Sequence, residues 1–141
     1  RVKDDLLDLL RDIPDHLLKG LVIRTTPNSD IKKSQDYMKR PPSFISNDAM
    51  TYIRSRGVKH LLIDTPSVDR LFDEGNLSSH NIFWDTKNKS YNGNYKDCTI
   101  TEMIFVDNTI EDGFYMLNLQ IAPFVSDASP SRPIIFKLNE L

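Results

Sequence analysis

A single cysteine, Cys98, is all the thiol chemistry the sequence holds. No intrachain disulfide can form from it, and no thiolate metal site can be built from it alone. That scarcity fits a reducing compartment, so a cytoplasmic location is the expectation. No apolar run approaches the roughly 20 residues needed to cross a bilayer, which leaves no membrane partner to expect, and no signal peptide is read. Neither sign of charge dominates, since 18 Lys and Arg stand against 20 Asp and Glu for a net charge of −2. Without a basic face, nucleic acid is not the expected partner. The basic pairs Lys32-Lys33 and Lys39-Arg40 read as parts of a solvated loop. The chain also lacks paired histidines at metal-binding helical spacing, a Gly-rich phosphate loop and a Gly-x-Ser-x-Gly elbow. It has no internal repeat and no low-complexity tract.

What is there is ordinary for one globular domain. The chain has 141 residues, 39% of them hydrophobic and 27% charged, enough to bury a real core. Leucines at helical spacing predict a helix over residues 3–12, ended by Pro14, with Asp4 and Asp5 in its favourable first turn. The run after Gly20, residues 21–26, reads as a strand. Residues 27–43 carry three prolines and form a long loop. Ser46 is placed as an N-cap and Gly57 as a C-terminal cap, which predicts a helix over 47–56. Residues 58–64 then read as a second strand. Strand, helix, strand in that order suggests a parallel α/β unit. Ser78 is the expected cap of a short helical turn ending at Trp84. Residues 85–98 are polar, with Asn92-Gly93 inside, and read as a surface loop. Three strand candidates follow, at 100–106, 114–124 and 133–139. The class is mixed α/β, strand-rich toward the C-terminus.

A few polar residues sit where chemistry is possible. Asp64 ends an apolar strand and enters a tight loop, a common location for site residues in α/β proteins. The bland alternative is a loop-capping carboxylate. His80 precedes large apolar residues, as a metal ligand, a general base or a packed core histidine would. Glu102 interrupts a strand-like run. If buried there it must be paired, protonated or metal-bound, and otherwise it marks the outer side of an edge strand. His16 and His60 are assigned to structure. Cys98 has no basic pair near it in sequence, which argues against a nucleophilic thiol. Phe83 and Trp84 are placed in the core rather than in a pocket. Two ligands, His80 and Glu102, fall short of the three or so that a catalytic zinc needs.

The stretch from Arg56 to Arg70, Arg-Gly-Val-Lys-His-Leu-Leu-Ile-Asp-Thr-Pro-Ser-Val-Asp-Arg, resembles the cyclase family. That family includes bacterial-type kynurenine formamidases and isatin-hydrolase-like enzymes. Its Asp-Thr-Pro-Ser-Val-Asp signature is complete here as Asp64 to Asp69. The strand Leu-Val-Ile-Arg-Thr-Thr-Pro and the helix from Ser46 to Gly57 match in place and character. A histidine past the signature falls on His80, and the family's later Glu falls on Glu102. The C-terminal strands and the Pro-x-Arg segment, with Arg132, match as well. The resemblance covers residues 20–138. It departs in a longer segment between His80 and Glu102, and in Met103 where the family has Asn.

The resemblance implies a swivelling β/β/α fold, with residues 1–141 as the C-terminal part of one cyclase-like domain. It implies a metal-dependent hydrolase of linear amides, with N-formylkynurenine of tryptophan catabolism as the best-known substrate, and zinc or manganese as cofactor. His80 and Glu102 would be catalytic and metal-site residues, with Asp64 and Ser67 bracing the site loop. The family's His-x-Gly-Thr-His-x-Asp-x-Pro motif is absent from these residues. The start at Arg1 inside a helix-like pattern predicts that this part has been trimmed away. A homodimer or higher oligomer is expected. The alternative is a non-catalytic relative that binds small molecules or acts as a scaffold.

Overall fold

In the computed structural model, which describes residues 2–86, 90 and 93–138, helix α1 (Val2–Leu10) is followed by strand β1 (Gly20–Ile23), helix α2 (Asn47–Ser55) and strand β2 (His60–Ile63). Helix α3 (Ser78–Trp84) and strand β3 (Thr99–Thr101) complete the first of two compact units, residues 1–107. The strands form a parallel sheet in the order β1-β2-β3, with Leu21, Leu61 and Ile100 in one row and Val22, Leu62 and Thr101 in the next. Each connection between neighbours is a helical crossover, as parallel pairing requires. The two crossover helices α2 and α3 pack on each other, the result of stepping twice in one direction across a sheet.

β2 is central and nearly water-free, with Leu61, Leu62 and Ile63 all buried, so its run is apolar at every position rather than alternating. Leu61 and Ile63 join Ala49, Met50 and Ile53 of α2, Phe83 of α3 and Val58 and Val68 in one core. α1 adds Leu6 and Leu10 to it. Arg56 ties the end of α1 down, donating to the Leu10 and Ile13 carbonyls and to the Asp15 carboxylate. Its guanidinium pKa is raised by that hydrogen bond to Asp15.

The second unit, residues 108–141, is built on an antiparallel pair, β4 (Tyr115–Asn118) and β5 (Ile134–Lys137). The architecture is mixed α/β, as the sequence predicts. Strand lengths differ from expectation. The run 100–106 pairs only to Thr101 because Met103 turns to a φ of +57°. In the run 114–124 the strand proper ends at Asn118, and the same register resumes at the Ile121–Ser131 bridge, where Arg132 N–H donates to the Gln120 carbonyl and Ala122 N–H to the Pro130 carbonyl. Of the expected loop 85–98, residues 87–89, 91 and 92 lie outside the described residues, as does Asn139 of the last strand candidate.

Candidate functional site

The C-terminal ends of the parallel strands open onto the segment Asp64–Asp69. Five of its six residues, all but Pro66, are tied by the following hydrogen bonds. The Asp64 side chain is fully buried and accepts from Thr25 N–H and Thr25 Oγ1, both at 2.9 Å. Thr65 Oγ1 donates to the Ser67 carbonyl at 2.8 Å, and Ser67 Oγ accepts from Asp69 N–H at 3.1 Å. The Thr65 carbonyl receives Met103 N–H at 2.9 Å. Val68 is buried in the core, while its carbonyl accepts from Ile45 N–H at 2.8 Å. Its own N–H donates to Glu102 Oε1 at 2.8 Å. Two hydroxyls therefore close the loop, and both of its carboxylates bond to other elements.

Asp69 is the hub. Its Oδ1 accepts from Ser79 N–H at 2.6 Å, and its Oδ2 accepts from His80 N–H at 3.3 Å. Oδ2 also lies 2.6 Å from His80 Nδ1. Burial pushes the Asp69 carboxyl upward, but the bonds from the His80 ring and the two backbone N–H groups outweigh it and hold the pKa below its ordinary value. An ionised Asp69 can only accept, so Nδ1 carries the ring proton. Nε2 of the same ring then faces Glu102 Oε1 at 3.5 Å. The His80 and Glu102 side chains are 20% and 27% exposed, so the meeting point is reachable from solvent.

A neutral imidazole offers Nε2 as an acceptor, and a carboxylate oxygen is also an acceptor. Two acceptors are held face to face to advantage only by a proton or a cation between them. Nitrogen and oxygen ligands of one tetrahedral zinc, each about 2.0–2.2 Å from it, stand roughly 3.3 Å apart, close to the distance here. A histidine whose other nitrogen is committed to a carboxylate is also the usual form of a metal-ligating histidine. The pair thus fits a shared proton or a divalent cation. Among the described residues no three His, Cys, Asp or Glu side chains gather to hold a metal.

The structure brings His80 and Glu102 together and adds Asp69, which sequence reasoning treated only as part of a signature. No local spacing reveals that partnership, because Asp69 and His80 are 11 residues apart with α3 starting between them. Glu102 is neither inside a strand nor on its outer side; it follows β3 directly. Ser78 does not cap α3. Leu77 occupies the N-cap position without a side-chain bond, and Asp69 caps the first turn from a distance. Asp64 does not cap its own loop. Lys32 is not solvated as expected: its Nζ meets Asp64 Oδ2 at 2.7 Å with the side chain 13% exposed. Cys98 has a basic neighbour after all, with Arg54 Nη1 at 4.0 Å from its sulfur. Phe83 is core, and Trp84 donates its indole N–H to the Cys98 carbonyl. His60 opens β2 and pairs with Thr99 Oγ1 at 3.0 Å, and His16 lies exposed in a helical turn.

No protein-family model matches this chain, and no curated protein does. Among the described residues no helix is long and apolar enough to cross a membrane.

Proposed function

We propose that this chain is part of a cyclase-like, metal-dependent hydrolase of carbon–nitrogen bonds in linear amides, related to kynurenine formamidase. The observation that supports it most is the convergence of His80 Nε2 and Glu102 Oε1 at 3.5 Å with Asp69 behind the ring. In this reading the sheet belongs to a swivelling β/β/α domain, and His80 and Glu102 hold zinc or manganese with ligands from outside the described residues. When bound, such a cation supplies Lewis acidity toward a carbonyl oxygen and toward water.

The chain's own residues then have defined tasks. Asp69 fixes the tautomer and the plane of His80. Val68 N–H orients the Glu102 carboxylate through Oε1. Glu102 is the group able to take a proton from the attacking water and return it to the leaving amine. With N-formylkynurenine, water adds at the formyl carbon, the C–N bond breaks, and formate and the amine leave. The proposed protein is cytoplasmic and a homodimer or higher oligomer.

The test is elemental analysis of the gene's whole product, together with hydrolysis of N-formylkynurenine with and without chelator. Zinc or manganese near one equivalent, with chelator-sensitive turnover, is the expected result. A metal-free, inactive product would move the assignment to a binding or scaffolding relative.

A further inference from the structure

The loop after β1 makes a strap. It leaves one edge strand, crosses the C-terminal end of β2, and bonds to the segment that follows β3 on the far edge. Asn28 Nδ2 donates to the Val106 carbonyl at 2.8 Å, and Arg24 Nη1 donates to the Asp107 carbonyl at 2.9 Å. Lys33 lies over the Phe105 ring, 4.2 Å from its centroid. The strap is fixed at its middle by Lys32. Its ammonium reaches Asp64 Oδ2 at 2.7 Å, Thr25 O at 2.5 Å, Thr25 Oγ1 at 2.9 Å and Asn28 Oδ1 at 3.4 Å.

Asp64 stands between the two residues that grip the same segment from the other side. The Ile63 carbonyl accepts from Ile104 N–H at 3.2 Å, and the Thr65 carbonyl accepts from Met103 N–H at 2.9 Å. Residues 103–107 are thus clamped between the end of β2 and the strap, and Glu102 is the residue immediately before the clamp.

We propose that Lys32 is a positioning residue, pinning the strap to Asp64 so that residues 103–107 are clamped and Glu102 is held against His80. The proposal rests on the metal-site reading for its consequence but not for its geometry. A buried carboxylate needs a counter-charge whatever the strap does, so a merely neutralising lysine is the rival explanation. The two differ in what happens when both charges are removed together.

The experiment uses the gene's whole product as wild type, Lys32→Met and the double variant Lys32→Met with Asp64→Asn. The single variant leaves a buried charge unpaired and is expected to lose stability; the double variant removes both charges and is expected to fold. Amide hydrogen exchange of the metal-free proteins is the first readout. Protection at Met103 and Ile104 should fall at least about tenfold in the double variant while the amides of β2 keep theirs. Unchanged protection at Met103 and Ile104 in the double variant overturns the proposal. The second readout is cobalt(II) binding, followed by its visible absorption. The double variant should bind about 10–100-fold more weakly than wild type, the usual effect of disturbing a ligand's support. Wild-type affinity in the double variant also overturns it. If wild type itself binds no cobalt while the exchange result holds, the metal reading fails and the positioning role stands.

Discussion

Asp69 serves three donors with two oxygens, and its carboxylate joins the loop of residues 64–69 to α3. Folding lowers its pKa below the ordinary 3.8, so the folded state binds that proton less tightly than the unfolded chain does. The stabilisation is complete above the unfolded value and is lost as pH falls through the lower folded one. We expect the stability gap between wild type and Asp69→Asn, measured by urea unfolding, to shrink as pH drops from about 5 to below 3.8. A gap that stays constant over that range would dismiss the effect. Glu102 offers a different separation. Gln at 102 keeps an oxygen for Val68 N–H but loses the charge and the basicity. Glu102→Gln should therefore abolish amide hydrolysis in the whole product while changing stability by less than about 1 kcal/mol. A large stability loss with activity retained would mark Glu102 as structural. Suspicion of His80 and Glu102 was available from the sequence, because an imidazole is a frequent metal ligand and base and a carboxylate interrupts an apolar run. The partnership of Asp69 and the burial of Lys32 were not. Both depend on residues from separate elements meeting after the sheet has formed, and a lysine amid polar neighbours has the pattern of a solvated one.

At the scale of elements, local chemistry explains most of what was read correctly. Ser46 accepts from Ala49 N–H at 3.3 Å and opens α2, and Gly57 closes it at a φ of +72°. Those two signals, with the amphipathic spacing between them, are why α2 was placed within a residue or two. We expect Ser46→Ala to cost about 1 kcal/mol in denaturant unfolding. Ile53→Ala, which empties a fully buried site between α2 and the sheet, should cost about 2–5 kcal/mol. If the two costs came out equal, the packing account of α2 would be wrong. Strand ends were read less well. Met103 adopts a left-handed conformation with no glycine to announce it, and the run 114–124 breaks after Asn118 before resuming at the Ile121–Ser131 bridge.

On the scale of the whole molecule, the two units differ in how their sheets are supported. β1, β2 and β3 carry a core under α2 and α3. The β4–β5 pair is two-stranded, and Met116, Ile134 and Phe136 on it are 40–55% exposed. Two strands alone are marginally stable in water. Amides of β4 and β5 should therefore exchange faster than those of β2 in this chain, and equal protection would contradict that ranking. The strap across the first unit has its own implication in time. Asn28 and Arg24 bond to carbonyls 78 and 83 residues further along. During synthesis at the ribosome, α2 and the β1–β2 pair can form while those partners are still being added. Lys32 and Asp64 can meet at that stage, but the strap has nothing to grip. Glu102 thus falls into place among the last events of the unit's assembly, and a nascent chain released before residue 107 would carry its histidine without the carboxylate held opposite.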